Sequence, residues 1–186
     1  GEFAHNPEPL PENLTEICNV IQEGSFDLGI VVDPDADRLC LIDENGNPFG
    51  EEYTLVLAAD GYMKNVKKED ETFVVNLSTS MALEKLSIKN NIKVERSAVG
   101  EINVVNKMNE LSSNFGGEGN GGVILRESHL GRDSLVAATM VLNRMSQSED
   151  PLSQLHASLP QFQIIKDKIS LEGIDPKVLI NKVESL

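Results

Sequence analysis

The chain has 186 residues, with 16 Lys and Arg against 30 Asp and Glu for a formal net charge of −14, no tryptophan and 4% aromatic residues. An acidic excess of this size argues against a general nucleic-acid or anionic-membrane surface, which needs clustered basic side chains; an anionic ligand would have to be met by local arginines. No stretch approaches the roughly 20 apolar residues of a membrane span, and the N-terminus lacks a basic-then-apolar leader. Cys18 and Cys40 fall in no Cys-x-x-Cys spacing, so they read as reduced core residues of a cytoplasmic protein.

The length suits one large domain, or about one and a half domains of the usual roughly 100 to 150 residues. In chain order, Pro11 and Gly24 bracket a helical pattern of Leu14, Ile17, Val20 and Ile21. Two apolar runs follow, Asp27 to Val32 and Leu39 to Ile42, the first reading as a buried strand because it is β-branched. The turn residues Glu44-Asn45-Gly46-Asn47-Pro48 close this unit at about residue 50. From Glu51 the pattern alternates: helix 53–65, strand 72–77, helix 80–89, strand 92–96, helix 101–111, a short strand 114–116 and strand 122–126. Such alternation predicts an α/β fold, a three-layer domain with a mixed sheet between helices. A helix over 133–145 is expected to turn Leu135, Val136, Ala138, Thr139, Val141 and Leu142 inward. A short helix 152–159 precedes Pro160, after which a strand over 162–171 and a helix over 175–186 read as the start of another unit.

Between the first two strands stands Asp33-Pro34-Asp35-Ala36-Asp37-Arg38. Three alternating carboxylates repel one another unless a cation or a hydrogen-bond network takes up their charge, and the end of a strand is where ligands bind in open α/β sheets. An EF-hand is excluded, because its sixth position requires the sharp turn of glycine and here is Arg38, and because the flanks are strand-like. A haloacid-dehalogenase-type phosphatase loop, with Asp33 as covalent nucleophile, is a second reading. Phe73 to Thr79 could serve as its phosphate-holding strand, but no later lysine and paired aspartates complete it. A solvated acidic turn is the third, and clustered unpaired carboxylates make it costly.

A second loop, Gly116-Gly117-Glu118-Gly119-Asn120-Gly121-Gly122, places an acid and an amide among five glycines. Glycine allows close backbone approach, and the Glu/Asn pair can hydrogen-bond sugar hydroxyls; a flexible hairpin is the plain alternative. Nearby His129, Arg126 and Arg132 could serve a substrate or be simple loop residues, and Asp133 can cap the next helix.

Taken in order, Pro7-Glu8-Pro9, Asp33 to Arg38, Val99-Gly100-Glu101, Gly117 to Gly122 and Gly131-Arg132-Asp133 resemble the α-D-phosphohexomutases, the family of phosphomannomutases, phosphoglucomutases and phosphoglucosamine mutases. The resemblance spans nearly the whole chain. It implies a four-domain enzyme, of which residues 1–50 are the latter half of the second domain, 51–160 the third and 161–186 the start of the fourth. It further implies that Asp33, Asp35 and Asp37 bind Mg²⁺ together with an oxygen of a phosphorylated serine, with Arg38 as a catalytic arginine orienting the phosphoryl group. The family's sugar loop, usually Gly-Glu-x-Ser-Gly-His, is matched by Glu118, with Asn120 for the serine and Gly122 for the histidine; Arg132 joins the substrate-binding set.

Glu101 stands where many members have histidine and Ser78 where some have lysine. The resemblance implies intramolecular phosphotransfer between the 1- and 6-positions of a hexose phosphate. The family's Ser-His-Asn-Pro loop does not occur; Ala4-His5-Asn6-Pro7 only imitates it, with His5 read as a surface or linker residue. The 186 residues are therefore expected to need the enzyme's other domains for activity. A metal- or sugar-phosphate-binding module without turnover is the non-enzymatic alternative.

Overall fold

The computed structural model describes residues 2–3, 6–65, 71–165, 170–171, 173 and 175–185. His5 lies outside them. Pro11 opens a 3-10 turn, Pro11–Asn13, rather than the helix itself; α1 (Thr15–Glu23) follows, and Gly24 ends it by donating its N–H to the carbonyls of Val20 and Ile21. Leu14 and Ile21 pack on Cys40 and Ile42 in a small core of their own.

Strands β1 (Leu28–Val32) and β2 (Leu39–Asp43) pair antiparallel, from Leu28 opposite Asp43 to Val32 opposite Leu39, so the acidic hexapeptide is their connection. Every β2 residue is buried, whereas in β1 Ile30 and Val32 are 41% and 42% exposed. The expectation of a buried strand is thus corrected for β1: among the described residues it pairs with β2 alone, and its apolar run faces outward on one side.

The larger unit runs α2 (Glu51–Asn65), β3 (Thr72–Asn76), α3 (Ala82–Ile88), β4 (Lys93–Ser97), α4 (Glu101–Glu110), β5 (Phe115–Glu118), β6 (Gly122–Leu125), α5 (Ser134–Ser146), α6 (Leu152–Ser158) and α7 (Pro176–Glu184). Its sheet has the order β4-β3-β5-β6, with β3 parallel to both neighbours and β6 antiparallel to β5. Strand alternation divides the core. Phe73, Val75, Phe115 and Val123 join the cluster built with α2, α3, α5 and α6, while Val74 and Ile124 join Val104 and Met108 of α4. This is the mixed sheet between helices that the alternation predicts.

Helix α2 is apolar nearly all round because it is the central helix of one layer, touching the sheet, α3, α5 and α6. Helix α5 corrects the expected inward face. Ser134, Ala137, Ala138, Val141 and Arg144 are buried, whereas Leu135, Thr139 and Leu142 are exposed and Val136 is half-buried. Small residues are selected there because α2 approaches closely: a Cβ on Gly61 would lie 3.0 Å from Arg144 Cβ and 3.1 Å from the Met140 carbonyl. Arg144 is tolerated inside because it pairs with Asp60 of α2.

No strand forms over residues 161–165, and 166–169 lie outside the described residues, so the expected strand 162–171 is not seen where it can be judged. The helix expected after it is α7, capped by Asp175 with Pro176 in its first turn. Among the described residues, no helix is long and apolar enough to cross a membrane.

Candidate metal and sugar site

The acidic loop is built around Asp33. Its side chain is fully buried; Oδ1 accepts the N–H groups of Asp37 and Arg38, both at 3.0 Å, and Oδ2 accepts Arg38 Nε at 2.6 Å. Burial alone would push this carboxyl up, but the Arg38 side chain and N–H outweigh it and hold Asp33 below the usual carboxylate range. Ala36 occupies the left-handed region at φ 60°, a conformation that costs a non-glycine residue energy and must be held from outside. The hold comes from α5: the Ala36 carbonyl accepts both Ser134 N at 3.1 Å and Ser134 Oγ at 2.8 Å.

One ligand atom from each of Asp33, Asp35 and Asp37 can be chosen so that all three lie within 4.8 Å of one another, with Asp35 exposed and Asp37 half-buried. Asp37 Oδ1 is buried and has no hydrogen-bond partner among the described residues; the Arg38 Nε nitrogen stands 3.7 Å away. Its carboxyl is driven above the ordinary range by burial, and by Asp33 and Asp35, against the pull of Arg132. An orphaned carboxylate oxygen among three converging acids is the donor set of a hard, oxygen-seeking cation such as Mg²⁺, so the residues present fit one.

The glycine-rich loop is the β5–β6 hairpin. Rather than lying free, it is buried against the β1–β2 connection: Leu39 N donates to the Gly121 carbonyl at 3.0 Å, and Thr54 Oγ1 to the Leu39 carbonyl at 3.0 Å. Gly121 has φ 90°, and a Cβ there would lie 2.4 Å from the Leu39 oxygen, so the approach depends on glycine. Asn120 Oδ1 accepts the Gly122 N–H at 3.2 Å, an Asx turn that shapes the loop tip.

Glu118 is held from three directions. Oε1 accepts Asn76 Nδ2 at 2.7 Å and Gly100 N at 2.9 Å, and Oε2 accepts Arg132 Nη1 at 2.7 Å. Arg132 continues to Glu101, 3.0 Å from Nε, and to Asp37 through Nη2. The two loops named in the sequence are therefore joined by one guanidinium.

Of the other residues singled out above, Arg126 turns away from the site: it donates to the carbonyls of Met108 and Ser113, both at 2.7 Å, and to Asn109 Oδ1, closing the end of α4. His129 pairs with Asp133, which caps α5 by accepting Leu135 N and Val136 N. Ser78 supports Asn76, donating Oγ to its Oδ1 at 3.0 Å. Gly100 belongs to the Val99-Gly100-Glu101 motif noted above, whereas Asn76 and Ser134 carry no signal of their own in the sequence. Register is the signal that could have found Asn76. Val75 sits opposite Gly117, so the next residue on each strand, Asn76 and Glu118, project side by side.

Two family models match. Residues 1–46 match the alpha/beta/alpha domain II of phosphoglucomutase/phosphomannomutase, and residues 50–162 match its alpha/beta/alpha domain III. A phosphoglucomutase/phosphomannomutase of Thermococcus kodakarensis is 34% identical over all of this chain and 40% of its own length. A phosphoglucosamine mutase of Bartonella bacilliformis is 32% identical over 90% of this chain and 37% of its own length. The chain thus spans about two fifths of these relatives. Among solved structures, a phosphoglucomutase/phosphomannomutase family protein of Burkholderia thailandensis superposes with a TM-score of 0.74 at 23% identity, over 84% of this chain and 34% of that one, a likeness of fold.

Proposed function

The chain belongs to the phosphoglucomutase/phosphomannomutase family, and from that premise we propose that it is the cation- and sugar-holding part of a cytoplasmic isomerase that moves a phosphoryl group between the 1- and 6-positions of a hexose phosphate. In this reading residues 1–50 are the latter half of the enzyme's second domain, 51–160 the third and 161–186 the opening of the fourth. The phosphoserine and the remaining phosphate contacts come from segments beyond these 186 residues, so the chain alone does not turn over.

Asp33, Asp35 and Asp37 hold Mg²⁺, which supplies positive charge to a phosphoryl oxygen when bound. Asp33 also shapes the loop, so Asp35 and the orphaned oxygen of Asp37 are the more available ligands. Arg38, pinned by Asp33, presents a fixed guanidinium beside them, suited to orienting a phosphoryl group. Glu118 spends three of its roughly four acceptor directions on protein donors and keeps one for a sugar hydroxyl; Asn120 contributes its amide nitrogen at the loop tip. The carboxylate and the acidic loop are fixed to one frame, which is what in-line positioning of a substrate needs.

The observation that carries this reading is the buried Asp37 Oδ1, which has no hydrogen-bond partner among the described residues, inside the three-carboxylate cluster of a family member. Mn²⁺ titration followed by electron paramagnetic resonance tests it. The chain should bind one ion competed by Mg²⁺, and Asp35→Asn, which leaves the bonds of Asp33 to the Asp37 and Arg38 amides and to Arg38 Nε in place, should weaken binding at least tenfold. A chain that binds no ion, or an Asp35→Asn variant that binds as well as the parent, would refute it.

A further inference from the structure

The Arg132 side chain touches both loops, bonding Glu118 and Asp37, and its course is set by a glycine. A Cβ built on Gly122 would lie 2.3 Å from Arg132 Cδ and 3.0 Å from Cγ, so the arginine stem fills the space that any side chain at position 122 would need. Laid over Gly122, the guanidinium reaches three carboxylates from three elements: Glu101 at the start of α4, Glu118 at the end of β5, and Asp37 in the acidic loop. Its backbone N–H adds a fourth contact, to Glu101 Oε2 at 3.3 Å.

The pairing with Asp37 is selective by atom. Oδ2 receives Arg132, while Oδ1 has no hydrogen-bond partner among the described residues and only the Arg38 Nε nitrogen at 3.7 Å beside it. A carboxylate anchored through one oxygen presents the other in a fixed direction, the arrangement by which residues behind a metal ligand orient it. We propose that Arg132 is a positioning residue rather than a substrate ligand: it aims Asp37 at the cation and ties that aim to the sugar-holding Glu118, and position 122 must be glycine for it to do so. This rests on the reading of Asp37 as a cation ligand.

Arg132→Ala, Gly122→Ala and the double variant test it, with Arg132→Lys as a variant that keeps the charge and stem but loses the planar fork. Two readouts are needed: the Mn²⁺ dissociation constant, and hydrogen exchange at the Asp37 and Arg38 amides, which bond to Asp33 Oδ1 in the same loop. Each single alanine variant should weaken Mn²⁺ about tenfold, the lower end of the effect of losing such an orienting partner, and speed exchange at both amides. Arg132→Lys should remain folded and still lose much of the exchange protection.

Adding Gly122→Ala to Arg132→Ala should change little further, because the obstructed stem is gone and the remaining tight neighbour, Asn120 Oδ1 at 3.2 Å, is a side-chain end that can yield by a few tenths of an ångström. Additive losses, tighter Mn²⁺ binding without Arg132, or unchanged exchange would overturn the proposal. A parent chain that binds no Mn²⁺ would instead sink the metal reading, and exchange at the two amides would then decide the coupling by itself.

Discussion

Glu118→Gln isolates the electrostatic role of a single oxygen with almost no change of shape. Asn76 Nδ2 and Gly100 N both donate to Oε1, and Arg132 Nη1 donates to Oε2, so a glutamine must place its NH₂ group against donors whichever way it is turned. Asn76 cannot flip to compensate, because its Oδ1 already accepts from Ser78 N, Ser78 Oγ and Thr79 Oγ1. The Glu118 side chain is 4% exposed and that of Arg132 18%, so solvent repairs little. Losing a charge-assisted bond costs about 1.5–3 kcal/mol, and stranding a buried donor about 1–3 kcal/mol. Together these predict a loss of about 3–4 kcal/mol, in the range for breaking a buried pair. For a chain of this length that corresponds to a fall in Tm of roughly 10 °C. Thermal unfolding monitored by circular dichroism reads it directly. A variant melting within about 2 °C of the parent would show that the three donors do not converge on this carboxylate, and the frame described for the site would fall with it.

His156 sits between Phe49 and Tyr53, with ring centroids 4.4 and 4.6 Å away, and its Nε2 is buried without a hydrogen-bond partner among the described residues. Burial lowers its pKa below the usual 6.5, with Asp43 opposing. The unfolded chain therefore takes the proton first, so stability should decline as pH falls below 6.5 towards the folded-state value; His156→Phe should remove that component of a stability-versus-pH curve, and an unchanged curve would refute it. Cys40 is buried, and its thiol is pushed up to about 11, so iodoacetamide at neutral pH should leave it unmodified until the chain is unfolded. Mass spectrometry of the native protein should find any label on half-buried Cys18 instead.

How far the site could be read from the sequence differs from part to part. Strand-helix alternation was enough for the three-layer core, because Phe73, Val75 and Phe115 announce a buried sheet through their character alone. The face of α5 was misread because hydrophobicity ranks Leu135 and Leu142 above Ala137, whereas close contact with α2 selects for small size and for Arg144 with its partner Asp60. Asp33, Asp35 and Asp37 were visible as a group, since three acids at alternate positions ask for a cation. That Asp33 is consumed in shaping its own loop, and that Arg132 crosses from one loop to the other, depend on which segments meet in space. A bonding partner 95 positions away leaves no local trace.

The Ala36 carbonyl, bonded twice by Ser134, has a consequence for how this protein can be cut and how it assembles. The two segments matched by separate family models meet near residues 46–50, yet that seam in the sequence is not a seam in energy. Freed from Ser134 and Gly121, a peptide ending there would lose the grip that keeps Ala36 left-handed, and the aspartates would have no reason to converge. The acidic loop should accordingly be a late event in folding, protected from exchange and proteolysis only after β6 and the first turn of α5 are in place, some hundred residues further along the chain.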